Sequence, residues 1–215
     1  MADLHIHHKK FVALIPAKRT SVRVPEKNLR DLAGRPLLQY SINAATSLLP
    51  VERIFVSSED AEIRRLAHSL GCERIKRPPA LSEPDIPNVR VIEHALTVIC
   101  EAGTLPKPEF VLLLQPTHPF RKKLDLVRAV EAMTSEPFPD YVISTRPDSS
   151  SGEPVNAGAF YLFKTTAFER SGSVRGQNEV RIALSRPDLE VDIDTEVDFQ
   201  LALSIAASSA GDLDF

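Results

Sequence analysis

Apolar positions along this chain alternate between two rhythms. Phe11 to Ala17, Arg53 to Ser57 and Phe110 to Leu114 are short, nearly continuous apolar runs, the pattern of strands covered on both faces. Between them apolar residues fall at helical spacing. Leu37, Leu38, Ile42, Ala45 and Leu48 or Leu49 predict a helix over 36–49, with Pro36 suited to its first turn. Ile63, Leu66, Ala67 and Leu70 predict a second over 60–70, ended by Gly71. Further helices are predicted over 89–101, 124–133 and 196–207, and further strands over 73–76, 141–144 and 159–163. Residues 77–88 hold four prolines and read as irregular loop, and Arg146 to Pro154 reads as a mobile surface loop.

Strands and helices thus alternate from the start. That order predicts an α/β fold of three layers, a mainly parallel sheet with helices on both faces joined by right-handed crossovers. FVLLL, the most apolar strand, belongs in mid-sheet. Ligands of such sheets bind beyond the carboxyl ends of the strands. Residues 1–10 read as an N-terminal arm and 11–215 as one domain. His5, His7 and His8 in that arm read as a polar tail rather than a metal site.

Composition narrows the function classes. The 215 residues carry a net charge of -3, with 43% hydrophobic and 26% charged residues, ordinary for a globular domain. A pI near 6 argues against nucleic acid as a partner. No apolar run reaches the ~18 residues that cross a bilayer, so no membrane partner is expected, and the polar N-terminus suggests a cytoplasmic protein. Cys72 and Cys100 read as two buried free thiols.

One loop runs against this acidic background. After the first strand, IPAKRTSVRVPEKN (Ile15 to Asn28) gathers Lys18, Arg19, Arg23 and Lys27, with Arg30 just beyond, against Glu26 alone. Such a loop is either solvated surface charge or a polyphosphate grip. Its place at a strand's carboxyl end and the stiffness of Pro16 and Pro25 favour the grip. It contains no glycine-rich phosphate motif, so side-chain cations and scattered amides must hold the ligand. Near the other end, VDIDTEVD (191–198) sets Asp192 and Asp194 two apart. On a strand they share one face and form a hard-oxygen pair for Mg²⁺. The same residues also read as helix capping, with Asp194 or Thr195 as cap and Asp198 in the first turn.

With these segments placed, the chain resembles the acylneuraminate cytidylyltransferase family, which includes the CMP-sialic acid synthetases. IPAKRTSVRVPEKN resembles the family's IPAR-x-x-S-x-x-x-P-x-KN signature. GRPLLQYSI, RIFVSSED, KRPPALSEPD with EHAL, LLLQPTHPFR, NAGAFYLF and VDIDTEVDF resemble its later motifs in the same order. The resemblance implies a Rossmann-like nucleotidyltransferase that activates a sialic acid-like 2-keto-3-deoxy sugar acid with CTP, and implies a homodimer. It puts Lys18 and Lys27 on the nucleotide phosphates, with Asn28, Ser21 and Arg23 beside them. It puts Arg77 on the nucleotide, Gln115 by the sugar acid, Asn156 in the place of the substrate-binding asparagine of NGAIY, and Asp192 and Asp194 on the metal.

The departures are specific. Lys18 stands where arginine is usual, which loses the planar two-pronged grip, with Arg19 a candidate to compensate by swinging inward. His118 stands where serine is usual, and reads as a sugar-recognition residue or as a capping or solvent-facing one. NAGAFY is a residue longer than its counterpart, which leaves the register of Asn156 open. Only Arg146 to Pro154 joins two strands where the family has a few dozen residues, so the sugar and dimerisation lobe is reduced. Two rival readings follow: a homologue impaired in catalysis, and a glycosyltransferase with a D-x-D motif.

Overall fold

The computed structural model describes residues 10–21, 23–103 and 105–209. The histidines of the N-terminal arm lie outside them. Along the chain run β1 (Phe11–Pro16), the two-residue strands β2 (Asp31–Leu32) and β3 (Arg35–Pro36), α1 (Leu37–Thr46), β4 (Ile54–Ser58), α2 (Ala61–Ser69) and β5 (Glu73–Lys76). Then come α3 (Asn88–Glu101), β6 (Phe110–Leu113), α4 (Lys123–Thr134), β7 (Tyr141–Pro147), β8 (Pro154–Lys164), α5 (Thr165–Ser171), β9 (Glu179–Ala183) and α6 (Glu196–Ser208).

Seven strands form one sheet in the order β5-β4-β1-β6-β8-β7-β9, and β2 pairs with β3 as a separate ribbon. Every pairing in the large sheet is parallel except the two made by β8. β1 shows why the layers form. Its residues alternate, so Phe11, Ala13 and Ile15 pack with α1, α2 and α4, while Val12 and Leu14 pack with α3 and α5. A third cluster lays Phe199 and Ala202 of α6 against Val24, Leu32 and Tyr40. From β1 the chain steps through β4 to β5, then returns across β1 to β6. Strand order therefore reverses at β1, where an open α/β sheet leaves a crevice beyond its carboxyl ends.

Local signals in the sequence act as expected at several ends. Asp60 caps α2 by accepting hydrogen bonds from the backbone N–H of Glu62 and Ile63, both at 2.9 Å. At the other end Gly71 adopts φ +83°, its N–H reaching the His68 carbonyl while Cys72 reaches Ala67. α6 begins with a reciprocal box between Thr195 and Asp198.

Four features differ from the sequence expectations. β9 and α5 were not anticipated, since β9 offers only Val180 and Ile182 as alternating apolar positions over five residues and α5 has only seven residues. Residues 191–194 form no ladder strand, although Val191 and Ile193 are buried and the Ile193 N–H donates to the Thr117 carbonyl at 2.9 Å. The Arg146 to Pro154 stretch is not a free loop. Arg146 and Pro147 complete β7, Pro154 opens β8, and Asp148 binds the turn by accepting from the backbone N–H and hydroxyl of both Ser150 and Ser151. Finally, β8 starts at residue 154 rather than 159. Ile143 pairs with Tyr161 but Thr145 with Asn156, so residues 157–160 bulge out of the ladder.

Candidate functional site

A cavity of about 430 Å³ opens at the carboxyl ends of β1 and β6. Four segments build it: the loop after β1, the proline-rich loop before α3, the turn after β6, and the extended segment before α6. Of the residues singled out from sequence, Lys18, Ser21, Arg23, Lys27, Asn28, Arg77, Gln115 and Asp194 line it.

The cationic loop is shaped by contacts at both ends. The Ala17 N–H extends the β1 ladder to the Ser57 carbonyl at 3.0 Å, and the Asn28 amide closes the loop on the Lys18 carbonyl at 2.8 Å. Glu26 turns the chain with φ +54° into the helical turn Lys27–Leu29. The Arg30 guanidinium lies 4.0 Å from the Phe199 ring and pairs with Glu196, which ties the loop to α6.

Lys27 is the interior cation. Its ammonium donates to the Ile193 carbonyl and lies 3.6 Å from the Asp194 carboxylate. Burial pushes its pKa down, and the charges of Asp194 and Asp192 oppose that shift. Residues 166 positions apart in sequence thereby meet at one cavity wall. The Thr195–Asp198 box satisfies the start of α6 without the Asp194 side chain, so the capping alternative falls to Thr195 and leaves the Asp194 carboxylate to the cavity. There Arg23 approaches its other oxygen at 2.9 Å.

Arg77 is held rigidly. Its guanidinium is 3% exposed, donates to the Ser82 hydroxyl at 2.9 Å and pairs with Glu59 at 2.8 Å. Glu59 also accepts from Ser82 at 2.8 Å and from the Arg19 backbone N–H at 2.7 Å. Burial alone would raise the Glu59 pKa, but the hydrogen bonds from Arg77, Arg19 and Ser82 prevail and lower it. Glu59 was quoted within RIFVSSED without a role. The available signal was an acid just past a buried strand, level with the arginine that follows the next one.

Arg121 was also missed. It is 2% exposed and donates to the Ala159 carbonyl, the Ser41 hydroxyl at 3.0 Å and the Gln115 carbonyl at 2.5 Å. Burial lowers its pKa to about 9. It fastens the turn carrying Gln115 to β8 and α1. Ser82, Glu83, Pro84 and Ile86 of the proline-rich loop, with Asn88 and Val91 at the start of α3, complete the lining.

Three predicted residues lie away from the cavity lining. The Arg19 guanidinium does not swing inward; it pairs with Glu26 and with Glu62 of α2. Asn156 donates to the Tyr161 hydroxyl at 2.7 Å and accepts from the Gly158 N–H at 3.2 Å, turned into the bulge of β8. Asp192 sits one residue before Ile193 on the Thr117 side, its carboxylate 3.8 Å from His118. Burial raises the Asp192 pKa, a Thr117 hydrogen bond opposes it, and the Asp194 charge adds to it. His118 itself faces neither solvent nor cavity. It is buried against Gly158, and burial together with Arg121 lowers its pKa to about 3, which leaves the ring neutral.

The two aspartates supply hard oxygen donors from neighbouring positions. Among the described residues no group of three or more His, Cys, Asp or Glu is arranged to hold a metal. Of the two aspartates only Asp194 lines the cavity, and a magnesium ion there would take its remaining ligands from phosphate oxygens and water. Among the described residues no helix is long and apolar enough to cross a membrane.

A family model described as cytidylyltransferase matches residues 12–165. N-acylneuraminate cytidylyltransferase of Escherichia coli O18:K1:H7 is 26% identical over 91% of the chain and 52% of its own length. CMP-N,N'-diacetyllegionaminic acid synthase of Legionella pneumophila is 35% identical over 57% of the chain and 52% of its own length. The chain thus spans about half the length of these curated relatives. In fold it is similar to a CMP:2-keto-3-deoxy-manno-octonic acid synthetase complexed with CTP, with TM-score 0.68 and 14% identity, covering 93% of this chain and 99% of that one. A 4-diphosphocytidyl-2C-methyl-D-erythritol synthase has TM-score 0.67 at 13% identity, covering 92% and 98%. Through the match that runs from β1 into α5, the chain belongs to the cytidylyltransferase family.

Proposed function

We propose that this chain transfers a cytidylyl group from CTP to a sialic acid-like 2-keto-3-deoxy sugar acid, giving a CMP-sugar and pyrophosphate. The observation that carries the reading is the convergence of Lys27 and Asp194, 3.6 Å apart, on a cavity also lined by Lys18, Arg23, Arg77 and Gln115. The names of the relatives, which join cytidylyl transfer to sugar acids, support the substrate class. They do not support the rival glycosyltransferase reading.

In this reading the sugar's anomeric oxygen bonds to the α-phosphorus of CTP while the bond from that phosphorus to the bridging oxygen breaks. Pyrophosphate leaves and the hydroxyl proton passes to solvent or a nearby carboxylate. Negative charge grows on the departing oxygens. Lys27, fixed by burial and by the Ile193 carbonyl, meets that charge without reorganising, and Lys18 and Arg23 bracket the phosphates. Arg77, held by Glu59 and Ser82, presents a rigid guanidinium to the nucleotide. Gln115, on a turn fastened by Arg121, orients the acceptor. Asp192 and Asp194 would hold Mg²⁺, which supplies charge neutralisation at the phosphates when bound. Homodimeric assembly and a cytoplasmic site of action belong to the same proposal and rest on the family resemblance.

The test is pyrophosphate release with CTP and a panel of sialic, legionaminic, pseudaminic and octulosonic acids. Release with at least one acid, and none with CTP alone, is expected. Tight CTP binding with no release across the panel would assign the chain to nucleotide binding without catalysis.

A further inference from the structure

The Asp194 carboxylate is not open to a cation in the state described. One oxygen lies 3.6 Å from the Lys27 ammonium and the other 2.9 Å from the Arg23 guanidinium. These two cations are held very differently. Lys27 is 11% exposed at its side chain and has a second acceptor in the Ile193 carbonyl. Arg23 is 64% exposed, and Asp194 is the partner its guanidinium engages. Lys27 is therefore a permanent neighbour of Asp194, and Arg23 is a removable one.

The geometry points to Arg23 as a guard on the Asp194 carboxylate, one that leaves when a polyphosphate enters and so makes nucleotide and divalent cation bind in order. A divalent ion approaching the Arg23-paired oxygen meets the positive charge of the guanidinium held 2.9 Å from that oxygen, which opposes it. A nucleoside triphosphate in the cavity offers the same guanidinium a denser set of acceptor oxygens, and guanidinium–phosphate pairs are short and two-pronged. Arg23 lines the cavity, so it need only turn from one wall toward the ligand. Its departure uncovers one oxygen of Asp194, while Lys27 keeps the other. The polyphosphate thus creates part of the ion's site by removing a competitor, in addition to lending its own oxygens. Linkage requires the coupling to be mutual. The inference rests on the proposed nucleotide reading of the cavity.

The test uses Arg23→Gln, which removes the charge at an exposed position and keeps most of the length. Two equilibrium measurements need no turnover. Mn²⁺ alone is titrated into nucleotide-free protein and followed by electron paramagnetic resonance. CTP alone is titrated in the presence of EDTA and followed by calorimetry. Arg23→Gln is expected to bind Mn²⁺ about two- to five-fold tighter than wild type, the scale an exposed ion pair commands, and to bind CTP about ten-fold weaker. Arg19→Gln removes a cation from the same loop, but one paired with Glu26 and Glu62, and should leave Mn²⁺ binding unchanged. Asp194→Asn should abolish the Mn²⁺ signal. Mn²⁺ binding in Arg23→Gln that is equal to or weaker than wild type overturns the guard, as does equal tightening in Arg19→Gln. Unchanged CTP affinity in Arg23→Gln overturns the hand-over. Absence of CTP binding by the wild type would sink the nucleotide reading itself, while the Mn²⁺ arm still judges the guard.

Discussion

The region around β1, β4 and β5 and the region around β7, β8 and β9 use their polar groups in opposite ways. In the first, charged side chains are buried and point toward the cavity. Arg77 is fixed by Glu59 and Ser82, and Lys27 by the Ile193 carbonyl and Asp194, from elements distant in sequence. In the second, several polar groups are satisfied by residues close in sequence, although Arg146 reaches Glu190 and Asp140 reaches Lys164 and Arg170. Asp148 binds its own turn, Asn156 binds Tyr161 five residues on, and Arg175 and Arg181 flank Glu179. The lesson is that a preorganised ligand site needs polar groups supplied across the fold, since local partners leave nothing to spare for a ligand. The cavity side is built that way, and β7 and β8 are joined by a six-residue turn, 148–153.

The largest expected effect strikes the first region. Glu59→Ala leaves the Arg77 guanidinium buried and unpaired, and should lower unfolding stability by about 3–5 kcal/mol in a denaturant titration. The charge has a pH signature. Because the folded-state pKa of Glu59 is depressed, its contribution is complete above the unfolded value near 4.5 and is lost as pH falls through the folded value. Glu59→Gln should therefore flatten the acid side of the stability profile. A wild-type acid limb in that variant would remove Glu59 as the region's electrostatic hub.

Lys27→Ala should lose on the order of 3 kcal/mol of transition-state stabilisation, roughly 10²-fold in pyrophosphate release, while circular dichroism stays native. Asp194→Ala should match it in direction. Near wild-type release from either would separate their meeting from the chemistry.

Smaller effects belong to the second region. Gly158 has φ +75°, and a Cβ there would lie 2.9 Å from the His118 ring. Gly158→Ala should cost about 1–3 kcal/mol of stability through backbone strain and that contact. It should leave CTP affinity nearly intact, since neither residue lines the cavity. Asn156→Ala should be the mildest, about 1 kcal/mol of stability for its bond to Tyr161, with CTP binding unchanged. A ten-fold loss of CTP affinity in the Asn156 variant would show that the two regions act as one site.

How much of this was readable beforehand follows the same division. The parallel half announced itself because each buried strand is a bare apolar run and each helix repeats at its own period. The lysines of the entry loop and the aspartates before α6 were readable as chemistry from charge against an acidic background. The antiparallel half was obscured. β8 mixes glycine and polar residues across its bulge, and β9 carries arginine and glutamate at an edge where one face stays wet. Arg19, Asn156 and Asp192 lie off the cavity for a related reason: sequence names a side chain's chemistry but not its partner, and each meets a neighbour elsewhere.

By itself the amino-acid order determined the alternation of elements, the sheet's two-faced burial and the stock of cations and carboxylates, because these depend on periodicity and composition along neighbouring residues. Only the tertiary structure decided that Lys27 reaches Asp194, that Glu59 and Ser82 lock Arg77, and that Arg19 turns away. Those choices depend on distances between elements far apart in the chain, where burial and competing hydrogen-bond partners, rather than local spacing, select which charges meet.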